Sequence, residues 1–161
     1  MEIKDANFGR VRDEAETWYE TVDQVVCPYF GDAEPVSFNS KGLKHIKFKS
    51  DKKARSRSDQ FMRLKHIRFA KRILEKSRTM QEFKEGKVFE QVKSGKSKEK
   101  KLLDVKYFGF TAIITDNRRM KRLKVVVKQV AGGEKYFWSL IPSWSSNKGL
   151  PKMHSGDPSE D

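Results

Sequence analysis

At 161 residues and 18.8 kDa, the chain has the length of one domain, and 36% hydrophobic residues with a mean hydropathy of −0.80 leave it a strongly solvated surface. Eleven Phe, three Trp and four Tyr nevertheless supply the bulky core material that a disordered chain lacks. The net charge of +13, a single Cys27 and three histidines exclude an intramolecular disulfide and a zinc-ligand spacing, and they favour a polyanion as partner.

No Walker A loop, dinucleotide-binding glycine pattern or GxSxG elbow is present, so no nucleotide cofactor or metal is expected. No charged-then-apolar leader or long apolar run stands out, and the expected setting is a reducing cytoplasm without membrane contact. Charge is unevenly spread. Residues 1–40 carry three basic and nine acidic side chains, whereas residues 41–78 carry fifteen basic and three acidic ones. An acidic N-terminal element beside a basic body implies charge pairing within the chain as well as attraction for phosphates.

Between Arg10 and Val26, the residues Val11, Ala15, Trp18, Tyr19, Val22, Val25 and Val26 recur at three- and four-residue steps and predict a helix that stops at Cys27-Pro28. Pro35 to Ser40 reads as a short extended segment followed by a turn at Lys41-Gly42. Leu43 to Phe48 fits a helical turn or a strand edge. Ser50 to Ser58 reads as a loop, and Ser58 or Asp59 can cap a second helix running to about Lys76. On a wheel of about 100° per residue, Arg63 and His66 fall within the apolar arc of that helix and face the rest of the protein. For His66 this fits a satisfied core histidine or an RNA contact. An inward guanidinium at Arg63 calls for an anionic partner, either a carboxylate or a bound phosphate.

Val88, Phe89 and Val92 suggest a short edge strand, and Ser94 to Lys101 a basic loop. Three β candidates follow: Val105–Thr115, Leu123–Val130 and Tyr136–Trp144, separated by turns at Asp116-Asn117-Arg118 and Gly132-Gly133. They form an antiparallel meander. A two-residue Gly132-Gly133 turn pairs residues whose numbers sum to 265. It then sets Val125, Val127, Tyr136, Trp138 and Leu140 on the core face, and Lys124, Val126, Lys128, Phe137, Ser139 and Ile141 on the other. On that second face Lys124 and Lys128 are expected to hold phosphates and Phe137 to stack a base, and a one-residue bulge would exchange part of the assignment. The expected organisation is one α+β domain over residues 1–146, with N-terminal helices packed on the C-terminal meander, and a disordered tail over 147–161.

Three stretches carry a resemblance: Ser37–Ile46 (Ser-Phe-Asn-Ser-Lys-Gly-Leu-Lys-His-Ile), the basic helix with Arg63 ahead of Ile73-Leu74-Glu75, and the hairpin Val125–Val130 to Phe137–Pro142. Together they cover about half the chain, and in this order they resemble the barnase, EndoU, colicin D and RelE-like superfamily of small metal-independent ribonucleases, in particular its phage and mobile-element branches. The resemblance implies an endoribonuclease that cleaves by attack of the ribose 2′-OH and leaves a 2′,3′-cyclic phosphate. It implies His45 for acid/base work, with Lys44 and Lys41 stabilising the phosphorane, and Ser139 and Trp144 at late positions of the site; the inward-turned Arg63, on the helix just after the histidine turn, is expected to engage the same phosphate as His45. Barnase-like members use a glutamate base, which the exposed sheet face lacks here, so His45 or a lysine has to take that part.

Lys47, Arg55, Arg57 and His66, with Lys124, Lys128, Phe137 and Trp144, complete the expected RNA contacts. The implied partners are transfer or messenger RNA and, for a toxin, an acidic antitoxin or immunity protein. The alternative is a non-catalytic RNA- or DNA-binding protein on a degenerate nuclease scaffold, for which the same basic surface suffices.

Overall fold

The computed structural model describes residues 3–143 and 158–159. Its helices are α1 (Asp5–Val22), α2 (Ser40–Lys47), α3 (Arg57–His66) and α4 (Phe69–Lys76). Its strands are β1 (Gln24–Val25), β2 (Val36–Ser37), β3 (Phe48–Ser50), β4 (Lys53–Ala54), β5 (Glu82–Ser94), β6 (Ser97–Asp116), β7 (Arg119–Val130) and β8 (Lys135–Ser143). Strands β6 to β8 form the expected antiparallel meander, β5 extends it as an edge strand longer than expected, and β2 joins it in parallel to β8, giving the order β1-β2-β8-β7-β6-β5. The α+β architecture of helices on a C-terminal meander therefore stands. Trp144 and most of the expected tail lie outside the described residues; within that stretch Pro158 and Ser159 form a turn, with Pro158 buried.

Helix α1 buries Ala15 and Tyr19, two residues of its three-four repeat, but ends earlier than the apolar spacing suggested. Asp23 turns the chain at φ 59°, and its carbonyl accepts a hydrogen bond from Phe38 N at 2.7 Å. Val25 is thus buried in a strand rather than on a helix, since a valine serves either periodicity. Helix α2 resolves the open choice at Leu43–Phe48: Asn39 caps it through bonds from Lys41 N and Gly42 N, and the strand begins only at Phe48. The expected second helix is broken at Ile67-Arg68 into α3 and α4. Arg63 and His66 are still buried, with Leu64, Ala70, Ile73 and Leu74, as the wheel required.

The lysine-rich segment 94–101 is not a loop. Gly95, at φ 61°, closes a tight turn, and β5 and β6 remain paired from Glu82↔Gly109 to Ser94↔Ser97. The cross-strand pairs Glu90↔Lys101 and Lys87↔Asp104, the latter an ion pair at 2.8 Å, set opposite charges against each other and support a strand without an apolar repeat, although Lys93↔Lys98 sets two lysines side by side near the turn.

The β7–β8 register follows the 265 sum at Val125↔Leu140 and Val126↔Ser139, then slips to Val127↔Phe137 and Lys128↔Tyr136. The extra residue is Trp138. This bulge exchanges sides near the turn: Phe137 enters the core under the helices, where it stacks on Phe38 at 4.9 Å, and Trp138 joins Val105, Tyr107, Val126 and Ile141 on the opposite face. Helix α2 lies against β8 at Gly42, where a methyl group would sit 2.7 Å from Tyr19 Oη and collide with the Phe137 carbonyl oxygen. Tyr19 Oη also donates to the Asn39 carbonyl at 2.6 Å, tying α1 to the start of α2. Gly42→Ala should therefore destabilise the protein by about 1–3 kcal/mol in urea unfolding. An unchanged midpoint would mean that α2 is not pressed against β8.

Candidate nucleic-acid groove

Helix α2 and the face of β8 that carries Trp138 enclose, with β3 and the β5–β6 ribbon, a groove of about 580 Å³. Lys41, Lys44, Lys49, Lys100, Lys128 and His45 line it, against Asp51 and Glu90, with Phe48, Phe89, Tyr136 and Trp138 as apolar wall. The His45 ring lies flat on Trp138, centroids 3.9 Å apart and planes 16° from parallel. Lys128 Nζ is 3.8 Å from the same indole centroid, and Lys41 Nζ is 5.6 Å from the Tyr136 ring.

Burial pushes the Lys128 ammonium down to about 8, with Lys41 adding repulsion and Glu90 opposing the shift. Tyr136 is held protonated, its hydroxyl raised by burial and by the nearby Glu90 carboxylate. Its Oη and the Trp138 Nε1 are buried without a hydrogen-bond partner among the described residues. Two unmet donors beside an ammonium that is itself buried, Lys128 being 5% exposed, make a setting that an acceptor-rich anion would complete.

Behind the groove runs a buried polar chain. Arg55 donates through Nε to the His45 carbonyl at 2.9 Å, through Nη2 to His45 Nε2 at 2.9 Å, and through Nη1 towards Asp59 at 3.4 Å. Asp59 also takes Arg63 Nε at 2.6 Å, and Arg63 Nη1 donates to Ser139 Oγ at 2.6 Å. A guanidinium only donates, so Nε2 of His45 is an acceptor and the proton of the neutral ring sits on Nδ1. The structure thus brings Arg63, Ser139 and His45 into one network, but Arg63 (3% exposed) and the fully buried Ser139 are its inner end. They hold the site from behind and do not line it.

The other expected contacts divide in the same way. Lys41, Lys44 and Lys128 are on the groove, although Lys44 also pairs with Asp51 at 2.7 Å, which holds that carboxyl below the usual range. Lys47 is ion-paired with Glu16, and Arg57 with Asp5 at 2.5 Å while covering Phe8, so both face α1. This is the charge pairing that the acidic N-terminal segment implied. Lys124 is 1% exposed and bound to Glu82 at 2.7 Å, and Phe137 is in the core, so neither meets a ligand as expected. His66 is fully buried, donating from Nδ1 to the Met62 carbonyl at 2.7 Å and accepting from Lys121 at Nε2. It is the core histidine, not an RNA contact.

Arg55 had been expected as a surface contact, Asp59 only as a cap and Trp138 on the core face. The last error has a single cause, the bulge, for which the strand pattern carries no signal. Among the described residues no group of three His, Cys, Asp or Glu is placed to hold a metal ion, and no helix is long and apolar enough to cross a membrane. Comparison with protein-family models, curated proteins and solved structures returns no match.

The buried His66 gives a defined pH dependence. Burial, with Lys121 and Lys65 adding to it, lowers its folded value to about 4 from 6.5. The unfolded chain therefore binds the extra proton between these values. The contribution is complete above pH 6.5 and is lost as pH falls toward 4, at most about 3 kcal/mol. The His66 ring resonances should stay flat in an NMR titration down to pH 5. A midpoint near 6.5 would contradict the burial.

Proposed function

We propose that the protein is a metal-independent endoribonuclease of the barnase/RelE-like kind that holds an RNA strand in the α2–β8 groove and cleaves it by transesterification. The observation that carries this reading is the meeting, in a lysine-lined groove, of an imidazole and an ammonium whose pKa burial has brought to about 8. Lys128 changes protonation close to neutrality, where proton transfer is most effective, and the imidazole beside it offers Nε2 as a proton acceptor.

In this reading, His45 Nε2 takes the proton of the 2′-OH. The freed oxygen attacks phosphorus, the bond to the 5′-oxygen breaks, and Lys128 gives that oxygen its proton. The products are a 2′,3′-cyclic phosphate and a 5′-hydroxyl. Lys41 and Lys44 balance the charge gathering on the phosphorane, and the unmet donors of Tyr136 and Trp138 hold non-reacting oxygens. The reaction needs Arg55 Nη2 to yield Nε2 to the substrate.

That hydrogen bond favours one second reading. With Nε2 engaged by Arg55, His45 is a rigid stacking and positioning group, and the same groove serves a non-catalytic RNA-binding protein. Transfer or messenger RNA are the substrates proposed.

Incubation with total cellular RNA in EDTA separates the readings. The nuclease produces fragments with cyclic phosphate ends, and His45→Ala abolishes them while RNA affinity changes by less than about threefold. The cleavage rate falls as pH rises through about 8, because Lys128 loses the proton that it must donate. Fragments that persist in His45→Ala would refute the assignment, and absence of fragments with tight binding would leave the second reading. On either reading, three to five displaced counterions give a salt slope of roughly −2 to −3.5 for single-stranded RNA. A flat salt profile would remove RNA as the partner.

A further inference from the structure

On the far side of the sheet β6 outruns β5. Their ladder ends at Glu82↔Gly109, whereas β6 continues to Asp116 with β7 on one side only. The Gly109 carbonyl accepts from Gln81 N at 3.0 Å, and Thr111 N donates to Gln81 Oε1 at 2.8 Å, so both point towards the missing neighbour. By strand alternation the N–H and C=O groups of Ile113 and Thr115 point the same way. No backbone group among the described residues pairs with them. Ile113 is 59% exposed.

Alongside this edge a cavity of about 530 Å³ opens between β6 and α4. Phe69, Ile73 and Ile114 form its apolar part, and Arg72, Lys76 and Arg78 its charge, with no carboxylate in the lining. None of these three cations is in an ion pair among the described residues.

We infer that this groove receives an extended acidic segment of a partner protein, which adds a strand to the free edge of β6 and sets its carboxylates against Arg72, Lys76 and Arg78. Strand addition supplies what the edge lacks, an alternating row of donors and acceptors, and apolar side chains of the added strand reach the Phe69–Ile73 wall. A second copy of the chain is disfavoured, because two such edges would bring like charges together. RNA is disfavoured as well: the outward carbonyls of Ile113 and Thr115 repel phosphate oxygens, whereas a peptide's N–H groups satisfy them.

The test uses the intact protein and an end-blocked nine-residue peptide repeating Glu-Glu-Val-Val, so that each face of the added strand carries both carboxylates and apolar side chains. Calorimetry should show binding, and hydrogen exchange should show new protection at the Ile113 and Thr115 amides. Two controls leave the protein unchanged: the peptide N-methylated at every second residue should fail in the blocking register, and the version with Lys in place of Glu should not bind. In the doubly reversed variant Arg72→Glu/Arg78→Glu, both sites being exposed, affinity should fall by about tenfold or more. No binding, equal binding of the N-methylated peptides, or indifference to the charge reversal would overturn the inference. So would a loss of RNA affinity in the reversed variant with peptide binding intact.

Discussion

Between Val126 and Val127 the β7–β8 ladder slips by one residue, and the groove depends on that slip. Without it, Trp138 would turn inward and Phe137 outward, and neither the stack on His45 nor the stack on Phe38 would form. The extra residue lets one strand serve two layers. Phe137 closes the core beneath α1 and α2, Trp138 provides the floor on which His45 lies, and Ser139 receives Arg63. A bulge raises local twist and leaves a backbone unit out of the ladder, a cost offset here by full burial of the Phe137 ring and partial burial of Trp138.

The second determinant is how the positive charge is divided. Asp59 sits between Arg55 and Arg63, so two nearly buried guanidinium groups share one carboxylate and fill their remaining donors with the His45 carbonyl, His45 Nε2 and Ser139. A buried charge is tolerable only with a high degree of satisfaction, and removing Asp59 would take away the carboxylate that both guanidinium groups share. On the outer side, Glu16 and Asp5 of α1 neutralise Lys47 and Arg57. What remains towards solvent at this end is the set of exposed groove lysines, Lys41, Lys44, Lys49 and Lys100, so the positive field is concentrated around His45 and the buried Lys128.

The elements that repeat with a clear period were legible. Tyr19 and Ala15 on α1, the inward Arg63 and His66, and the three β-branched strands of the meander follow from spacing alone, because each period puts its apolar residues on one side. Three features were not. The bulge at Trp138 depends on how β8 packs against α2, a contact between segments almost a hundred residues apart. The charged ribbon of β5 and β6 is stabilised by cross-strand pairing, which local composition does not reveal. The partners of Lys124 and Lys47 likewise lie far along the chain, at Glu82 and Glu16, so a lysine that looks available in sequence is spoken for in space. Of the expected site, His45, Lys44, Lys41 and Lys128 meet in one groove, Arg63 and Ser139 support it from behind, and Phe137 and His66 belong to the core.

The central claim is that nucleic acid lies in the α2–β8 groove on the ring pair His45 and Trp138. Photocrosslinking of RNA containing 4-thiouridine, with the attached residues mapped by mass spectrometry, addresses it directly. Crosslinks are expected at Trp138, Tyr136, His45 and Phe89, and Trp138→Ala should remove most of them. Crosslinks concentrated instead around Arg72 to Arg78 and the β6 edge, unaffected by Trp138→Ala, would contradict it.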